Sequence, residues 1–411
     1  MTQQVLPCFH KFLYRTPNVP TLRFREFADT WRLIPIKNLL RFQNGINAES
    51  TKYGKGVKYI SVSDILNNQF ITYDCIKGLI DIDKKTFDKF IVEYGDILFQ
   101  RSSETFEDIG RANVYIDKEK PATFGGFVIR GKRISDYNPL FFRYLLCTHS
   151  ARKQTVRMGA GAQHYNIGQE GLERISLYFP SLAEQEKIAA LLNTLDSKIA
   201  VQNKIISKYE TLIKGISNDY FSQKTSEFVP LTNLTIKGKA GGTPTSTIEK
   251  YYNGDIPFLS ISDMTKQGKY INYTEKFISE DGLENSAAWI VPKSSLILSM
   301  YASVGLVCIN NIPLATSQAM FAMILKDNTK LNYLYYFLNY FRETKIHRLL
   351  ETGTQSNINA DTVRAIQVPI YSTMDIYVKT MLSIEKKLQN EKDMLSCLLN
   401  LKAYLMSKMF I

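Results

Sequence analysis

The sequence predicts a mixed α+β protein with two similar globular modules, each followed by one long helix. Three observations support this prediction. The chain of 411 residues is longer than one hydrophobic core usually organises, which favours two domains. Its two halves repeat the same order of short sequence segments. Each half also ends in a heptad pattern of apolar residues.

The internal repeat consists of short segments that recur in the same order at a slowly drifting offset. The matched pairs are 59–64 with 258–263, Gly110 with Gly305, 144–146 with 336–338, and Pro180 with Pro369. The offset changes from 199 residues for the first pair to 189 for the last, as small loop insertions and deletions would produce. The repeat therefore predicts that the two modules share one fold.

Each module combines strand and helix patterns. Alternating apolar and polar residues predict strands over 57–65 and 258–264, with Gly, Asn and Asp at the turns. Apolar residues at helical spacing, with basic residues between them, predict helices over 139–156 and 332–350. Each module is therefore predicted to be mixed α and β.

The two long helices carry narrow apolar seams with steps of three and four residues. The first seam consists of Ile188, Leu192, Leu195, Ile199, Gln202, Ile206, Tyr209, Ile213, Ile216 and Tyr220. The second seam consists of Tyr377, Met381, Ile384, Leu388, Glu391, Leu395, Leu398, Lys402, Leu405 and Met409. Seams this narrow and long are typical of coiled coils. Because two equivalent halves are related by a two-fold axis, the helices are predicted to pack as an antiparallel pair within one chain.

The antiparallel pair is predicted to act as a spacer between the modules. About 35 residues of helix give a rod of about 50 Å, comparable with roughly 15 base pairs of duplex DNA. Each seam is interrupted by a polar residue at the same position, Gln202 and Glu391. We predict that these two residues fix the register of the pair. The alternative is that both face solvent at an underwound turn.

These patterns divide the chain into four segments. We predict a first module over 1–179, a first long helix over 180–223, a second module over 224–368 and a second long helix over 369–411.

The start of the first long helix resembles a known family. The segment 180–185 (PSLAEQ), followed by Ile188 and the heptad helix, is similar to the conserved opening of type I restriction-modification specificity subunits. The segment 20–27 leading to Trp31 resembles the start of many such subunits, as does the Gly-x-Gln segment before the last strand of each module. The second copy departs from this pattern, because 369–374 lacks the Leu-Ala-Glu-Gln sequence. This departure leaves open whether the two docking sites for partner subunits are equivalent.

The resemblance implies a non-catalytic DNA-recognition subunit. Each module would be a target-recognition domain that reads one half of a split sequence in double-stranded DNA. The chain would recruit two methyltransferase subunits, which methylate adenine with S-adenosylmethionine, and two restriction subunits, which are ATP-dependent motor-nucleases. S-adenosylmethionine, ATP and Mg²⁺ are therefore expected in the partner subunits, and no cofactor is expected in this chain.

The sequence also lacks the common enzyme motifs, as expected of a non-catalytic subunit. The sequence contains no phosphate-binding loop of the Gly-x₄-Gly-Lys-[Ser/Thr] type and no Pro-Pro pair, which an amino-methyltransferase motif would need. Its four histidines show no His-x₃-His spacing, so we predict neither a catalytic nor a metal site.

The composition favours an acidic partner and a reducing compartment. The formal net charge is +12, which is compatible with nucleic acid. The five cysteines lie far apart and favour a cytoplasmic location. No apolar stretch is long enough to predict a signal peptide or a membrane span.

Basic, hydroxyl and amide side chains near predicted loops are the candidate DNA contacts. In the first module they are Lys55, Lys58, Ser61, Arg101, Ser102, Lys153, Arg157, Gln163 and His164. In the second they are Lys239, Thr243, Ser260, Ser299, Tyr301, Lys345, Arg348, Gln355 and Ser356. The alternatives are that the glycines near these residues only turn the chain, and that single lysines are ordinary solvated surface.

Two other functions remain open at this point. One is a non-catalytic scaffold whose tandem modules bind proteins. The other is the recognition component of a related methyltransferase system. Binding of random duplex DNA would separate the DNA-binding functions from the scaffold, and capture of a separate methyltransferase would separate the two DNA-binding functions.

Overall fold

The computed structural model describes residues 9–11, 18–161, 164–225, 227–348 and 357–411. By its contacts the chain divides into two compact units. Unit 1 comprises Met1–Asn203 with Asp393–Ile411, and unit 2 comprises Lys204–Lys392. Each unit therefore contains one module together with part of each long helix.

The first module is mixed α and β, as predicted. Its strands are β1 (Phe9–Lys11), β2 (Leu22–Phe24), β3 (Arg32–Pro35), β4 (Leu40–Asn44), β5 (Tyr53–Ile60), β6 (Gly78–Ile80), β7 (Ile97–Gln100), β8 (Ser102–Ser103), β9 (Ala112–Val114), β10 (Thr123–Phe124), β11 (Val128–Arg133), β12 (Tyr165–Asn166) and β13 (Ser176–Phe179). Its helices are α1 (Val62–Asn67), α2 (Lys84–Lys89), α3 (Pro139–Leu146), α4 (His149–Arg157) and α5 (Gln169–Glu173). The largest sheet has the order β4-β11-β7-β9, and a second sheet has the order β10-β5-β6.

The second module follows the first long helix, α6 (Leu182–Phe221), and precedes the second, α11 (Met374–Lys408). Its strands are β14 (Phe228–Pro230), β15 (Thr235–Ala240), β16 (Tyr252–Leu259), β17 (Tyr270–Ile271), β18 (Lys276–Ile278), β19 (Leu296–Ser299), β20 (Val307–Asn310), β21 (Ala315–Thr316), β22 (Met320–Leu325) and β23 (Gln367–Pro369). Its helices are α7 (Ile261–Gln267), α8 (Glu280–Glu284), α9 (Leu331–Thr344) and α10 (Ala360–Ala365). The sheets have the orders β15-β22-β19-β20-β17 and β18-β16-β21.

The repeat extends to irregular details of the backbone. In β5, Tyr53 and Val57 both pair with Ile80, so the strand carries a bulge. In β16, Tyr252 and Ile256 both pair with Ile278 in the same way. β5 and β16 also pair in parallel with β10 and β21, respectively. A shared bulge is a specific feature of a fold, so it supports descent of both modules from one structure.

The predicted strands 57–65 and 258–264 are wrong beyond Ile60 and Leu259, respectively. β5 ends at Ile60 and β16 at Leu259, and a short helix follows each strand. The Ser61 hydroxyl donates to Asp64 Oδ2 at 2.7 Å, and the Ser260 hydroxyl donates to Asp263 Oδ2 at 2.6 Å. A serine followed three residues later by an acid caps a helix start, and this local signal overrides the alternating pattern.

The predicted helix over 139–156 is also wrong, because it is two helices. α3 ends at Leu146, and the Thr148 side chain caps α4 by accepting from Ala151 N at 3.3 Å. A threonine that caps a new helix offers the backbone an alternative to continuing the first one. In the second module, α9 ends at Thr344 rather than continuing to 350, and a 3₁₀ turn occupies Ile346–Arg348.

The long helices run antiparallel within each unit. In unit 1, Asp196 of α6 bonds to Lys402 of α11 at 2.5 Å, and Leu192 shares a hydrophobic core with Met409. In unit 2, Glu210 pairs with Lys392 at 2.9 Å, whereas Ser217, further along α6, bonds to Tyr377, which lies earlier in α11. All members of the first and second seams are buried or half-buried.

Among the described residues, no helix has the length and apolar character needed to cross a membrane.

Each module is anchored to the long helices of its own unit by a tyrosine, an acid and a lysine. In unit 1, the Tyr144 hydroxyl donates to Asp196 Oδ2 at 2.7 Å, and Lys402 bonds to the other carboxylate oxygen. In unit 2, the lysine comes from the module instead. Lys269 donates to Glu385 at 2.7 Å and to the Tyr336 hydroxyl at 2.9 Å. These contacts fix the helix of each module that precedes its candidate DNA-binding loops.

In the Leu-Ala-Glu-Gln segment of the first copy, Leu182 and Ala183 are exposed and the acid and amide are buried. Glu184 is fully buried and accepts two hydrogen bonds from Arg23, at 2.7 and 2.6 Å. Gln185 accepts from Asn138 N, the residue that caps α3, at 2.9 Å. The acid and amide of this segment therefore join the start of α6 to the module.

Candidate nucleic-acid interface

Three loops of the first module converge at one edge. Arg101 N donates to Phe127 O at 2.9 Å, and Ile167 N donates to Arg101 O at 3.0 Å. β8 pairs with β12, and Ala160 N bonds to Asn166 O at 2.9 Å. We call the loops at 101–103, 125–127 and 159–166 the first loop cluster, of which 162 and 163 lie outside the described residues. Loops held by a rigid scaffold commonly carry binding functions.

The first loop cluster brings together three of the predicted contacts. Arg101 is half-exposed and directs Nη1 towards Gly126 O at 3.4 Å. The Ser102 hydroxyl bonds to Asn166 Oδ1 at 2.5 Å. His164 is exposed, just before β12. Gln163, also predicted, lies outside the described residues.

Phe127 is a surface residue that sequence reasoning missed. Its side chain is 69% exposed, which is unusual for phenylalanine, and its carbonyl is held by Arg101 N. It follows Gly126, where a Cβ would lie only 1.6 Å from the Asn47 side chain. The sequence signal was a Gly-Gly-Phe turn between two strands. An exposed aromatic ring beside an arginine is suited to contact base edges or to stack on a base.

Helix α4 supplies two exposed cations on one face. Lys153 and Arg157 are exposed and lie four residues apart, so they are neighbours on the helix surface. Arg152 is different, because its Nη2 donates to Glu107 O at 2.8 Å and to Ile109 O at 2.7 Å.

The remaining predicted contacts of the first module differ in exposure. Lys55 is exposed and forms a surface ion pair with Asp81 at 3.2 Å, which leaves it accessible. Lys58 is half-buried, donates to Tyr73 O at 2.9 Å and lies 4.7 Å from the centre of the Tyr73 ring. Ser61 uses its hydroxyl in the cap of α1. Lys58 and Ser61 therefore both have structural roles in the module.

The second module contains a corresponding loop cluster that repeats two of these backbone bonds. Met300 N donates to Ala319 O at 2.7 Å, and Ile358 N donates to Met300 O at 3.1 Å. Gly242 N donates to Thr316 O at 2.9 Å, so Thr243 follows a residue that is bonded immediately before the loop at 317–319. We call the loops at 241–243, 300–304 and 317–319 the second loop cluster.

The side chains of the second loop cluster differ from those of the first. The position equivalent to Arg101 is Met300, which is buried. Tyr301, which was predicted, is 40% exposed, and Thr243 is exposed. Gln318, which sequence reasoning missed, is exposed at the position equivalent to Gly126. The two clusters therefore share a backbone and present different functional groups.

Ser299 has to be removed from the set of candidate DNA contacts. Its side chain is fully buried. Its hydroxyl donates to Ser303 O at 2.7 Å and accepts from Leu306 N at 2.9 Å. Ser299 is the last residue of β19, and its hydroxyl bonds to the backbone of the turn between β19 and β20.

The other candidates of the second module fall into three groups. Lys239 and Lys345 are exposed. Ser260 caps α7, as Ser61 caps α1. The backbone of Arg348 lies in a 3₁₀ turn, whereas Gln355 and Ser356 lie outside the described residues. Among the described residues, no group of three or more potential metal ligands is found.

Comparison with known proteins identifies the family. The model of the type I restriction modification DNA specificity domain matches this chain twice, over residues 29–211 and 223–395. The chain belongs to this DNA-specificity family. The resemblance inferred from the PSLAEQ segment is thereby confirmed. The two matches also correspond to the two copies of the internal repeat, so both copies are specificity domains.

Individual relatives agree with the family model. The chain is 23% identical over 418 aligned positions to the HindI specificity subunit of Haemophilus influenzae, covering 81% of this chain and 89% of that protein. It is 29% identical over 160 residues to the MjaIX specificity subunit of Methanocaldococcus jannaschii, a match that spans only 37% of each. The crystal structure of a type I restriction-modification S subunit from M. genitalium shares the fold, with a TM-score of 0.58 and 16% identity over 96% of this chain and 99% of that chain.

Proposed function

We propose that this DNA-specificity subunit reads a two-part target, with one part contacted by each loop cluster. The observation that carries the proposal is the common backbone of the clusters combined with their different exposed groups. Arg101 and Phe127 in the first cluster stand where Met300 and Ala319 stand in the second. Two different half-sites can be recognised by one scaffold when its base-contacting side chains differ.

Roles within each interface follow from the exposure and chemistry of the side chains. Arg101 in the first cluster and Gln318 in the second are suited to hydrogen-bond base edges, because arginine matches guanine and glutamine matches adenine in the major groove. Lys153, Arg157 and Lys239 are exposed cations suited to phosphates, which supply affinity without sequence information.

The chain itself is proposed to perform no chemistry. It would recruit two methyltransferase subunits, which use S-adenosylmethionine, and two restriction subunits, which use ATP and Mg²⁺. The support for this proposal is membership of the specificity family together with the missing catalytic motifs in the sequence. The predicted spacing of the two half-sites by a helical rod of about 50 Å belongs to the same proposal.

The proposal is tested by DNA binding of the chain together with its methyltransferase subunits. Arg101→Ala should relax the sequence preference in one half-site, because it removes a base contact. Lys55→Ala serves as the comparison and should weaken binding to all sequences equally, with a salt slope smaller by about 1. If neither variant changes binding, the contact surfaces are wrong. If the wild-type complex binds no duplex DNA but captures other proteins, the scaffold function is favoured instead.

A further inference from the structure

The first module contains a cavity in which three arginines meet. The cavity has a volume of about 300 Å³ and lies between the end of α1, β9, α3 and α4. Arg111, Arg143 and Arg152 line it together with Cys147, and Leu146 is among its apolar lining. It is separate from the contacts that build the first loop cluster.

The charges of these arginines are poorly compensated. Arg111 forms an exposed ion pair with Asp108 at 2.6 Å. Within the described part of the chain, neither Arg143 nor Arg152 forms a salt bridge with a carboxylate. Arg152 uses one nitrogen, Nη2, for two backbone carbonyls. The cavity therefore holds more positive than negative charge.

Of the three arginines, Arg143 has a buried side-chain nitrogen without a hydrogen-bond partner. Its Nε is buried and has no hydrogen-bond partner in the structure, and its Nη1 lies 2.8 Å from the weak acceptor Cys147 Sγ. Leaving a buried charged donor unpaired is costly, so an acceptor bound beside Arg143 would stabilise it. Burial also lowers the pKa of Arg152, and the neighbouring Arg111 charge lowers it further. An anion bound in the cavity would offset both the burial of Arg152 and its repulsion by Arg111.

The second module has no counterpart of this cluster at the equivalent sequence positions. In the second module, the sequence positions equivalent to the three arginines are Leu306, Tyr335 and Thr344. None of these three positions carries a cation in the second module, so the arginine cluster is particular to the first module. Three arginines around one cavity, of which Arg143 and Arg152 have no carboxylate partner among the described residues, favour an anionic ligand.

We propose that Arg111, Arg143 and Arg152 form a binding site for a phosphate group. Guanidinium groups bind phosphate through paired, charge-assisted hydrogen bonds, and a tetrahedral oxyanion has enough acceptors for several arginines at once. A cavity of about 300 Å³ admits such a group. The phosphate comes either from the backbone of bound DNA, since the exposed Lys153 lies next to Arg152 on α4, or from a free phosphate compound.

The test is titration of the full-length chain with inorganic phosphate by isothermal calorimetry, with sodium chloride adjusted to constant ionic strength. Wild type should show saturable binding. Arg143→Gln and Arg111→Gln should each weaken it by about tenfold, the effect of losing one charge-assisted contact. Arg41→Gln, which changes an exposed arginine of β4, is the matched control and should bind as wild type does.

A second titration, in the presence of saturating random duplex DNA, identifies the source of the phosphate. If DNA abolishes phosphate binding in the cavity, the natural ligand is a backbone phosphate. If binding is unchanged, the ligand is a free phosphate compound. Arg111 is largely exposed, so its replacement keeps the test valid if Arg143→Gln fails to fold. The proposal is overturned if wild type binds phosphate without saturation, or if Arg41→Gln weakens binding as much as the cavity variants do.

Discussion

The buried pair of Arg23 and Glu184 gives a prediction that can be worked out from the structure. The two side chains are 2% and 0% exposed and share two hydrogen bonds of 2.7 and 2.6 Å. Glu184→Gln preserves shape but leaves the Arg23 charge buried without a counter-charge. Removing one partner of a buried pair costs about 3–5 kcal/mol of unfolding free energy. We expect a loss in this range, confined to unit 1.

The assay is urea unfolding followed by tryptophan fluorescence. The chain has two tryptophans, and Trp31 lies in the core of unit 1. In a Trp289→Phe background the signal therefore reports unit 1 alone. Glu186→Gln, an exposed change two residues further along α6, is the control and should alter stability by less than about 0.5 kcal/mol.

A double variant separates the ion pair from other effects. Arg23→Met combined with Glu184→Leu removes both charges, and it should recover much of the loss seen in Glu184→Gln because no charge remains buried alone. A Glu184→Gln protein within 1 kcal/mol of wild type, with an unchanged urea dependence, would refute the assignment of a structural role to this glutamate.

Three further predictions concern the helix caps, the interface and the seams. Ser61→Ala should reduce the unfolding free energy by about 1 kcal/mol through loss of its capping bond, with unchanged DNA sequence preference in a binding assay. Arg157→Ala should weaken binding to all duplexes and reduce the salt slope by about 1, and a sequence-dependent change would contradict a phosphate contact. Replacing Gln202 and Glu391 together by Leu should raise the thermal midpoint while permitting slipped registers, and unchanged stability would argue against their role in register.

The sequence was sufficient for features that depend on periodicity. The seams were predicted because heptad spacing extends over many turns, where local exceptions average out. The duplicated modules were predicted because the segments recur in fixed order. Both features are global, so a single misplaced residue does not change them.

Features decided by one hydrogen bond were harder to predict. The strand expected to reach residue 65 ends at Ile60, because Ser61 and Asp64 cap a helix. The helix expected over 139–156 is broken because Thr148 caps a second one. In each case a short polar side chain bonds to a residue three positions away, and this local signal overrides the longer periodic pattern.

The candidate interface shows the same limit. Basic residues and loops were located from sequence, but Ser299 turned out to be buried, and the exposed Phe127 and Gln318 were missed. Phenylalanine normally counts as core, and its exposure here follows from a turn held by Arg101 N. The internal role of Glu184 was also hidden, because its partner Arg23 is distant in sequence.

The central claim, that each loop cluster reads one half of a split target, is tested most directly by mapping methylated adenines. Genomic DNA would be mapped after expression of the chain with its methyltransferase subunits, once with wild type and once with Arg101→Ala. We expect a two-part motif with wild type, and a motif relaxed in one half only with the variant. A continuous motif, or relaxation of both halves by the single substitution, would contradict the claim.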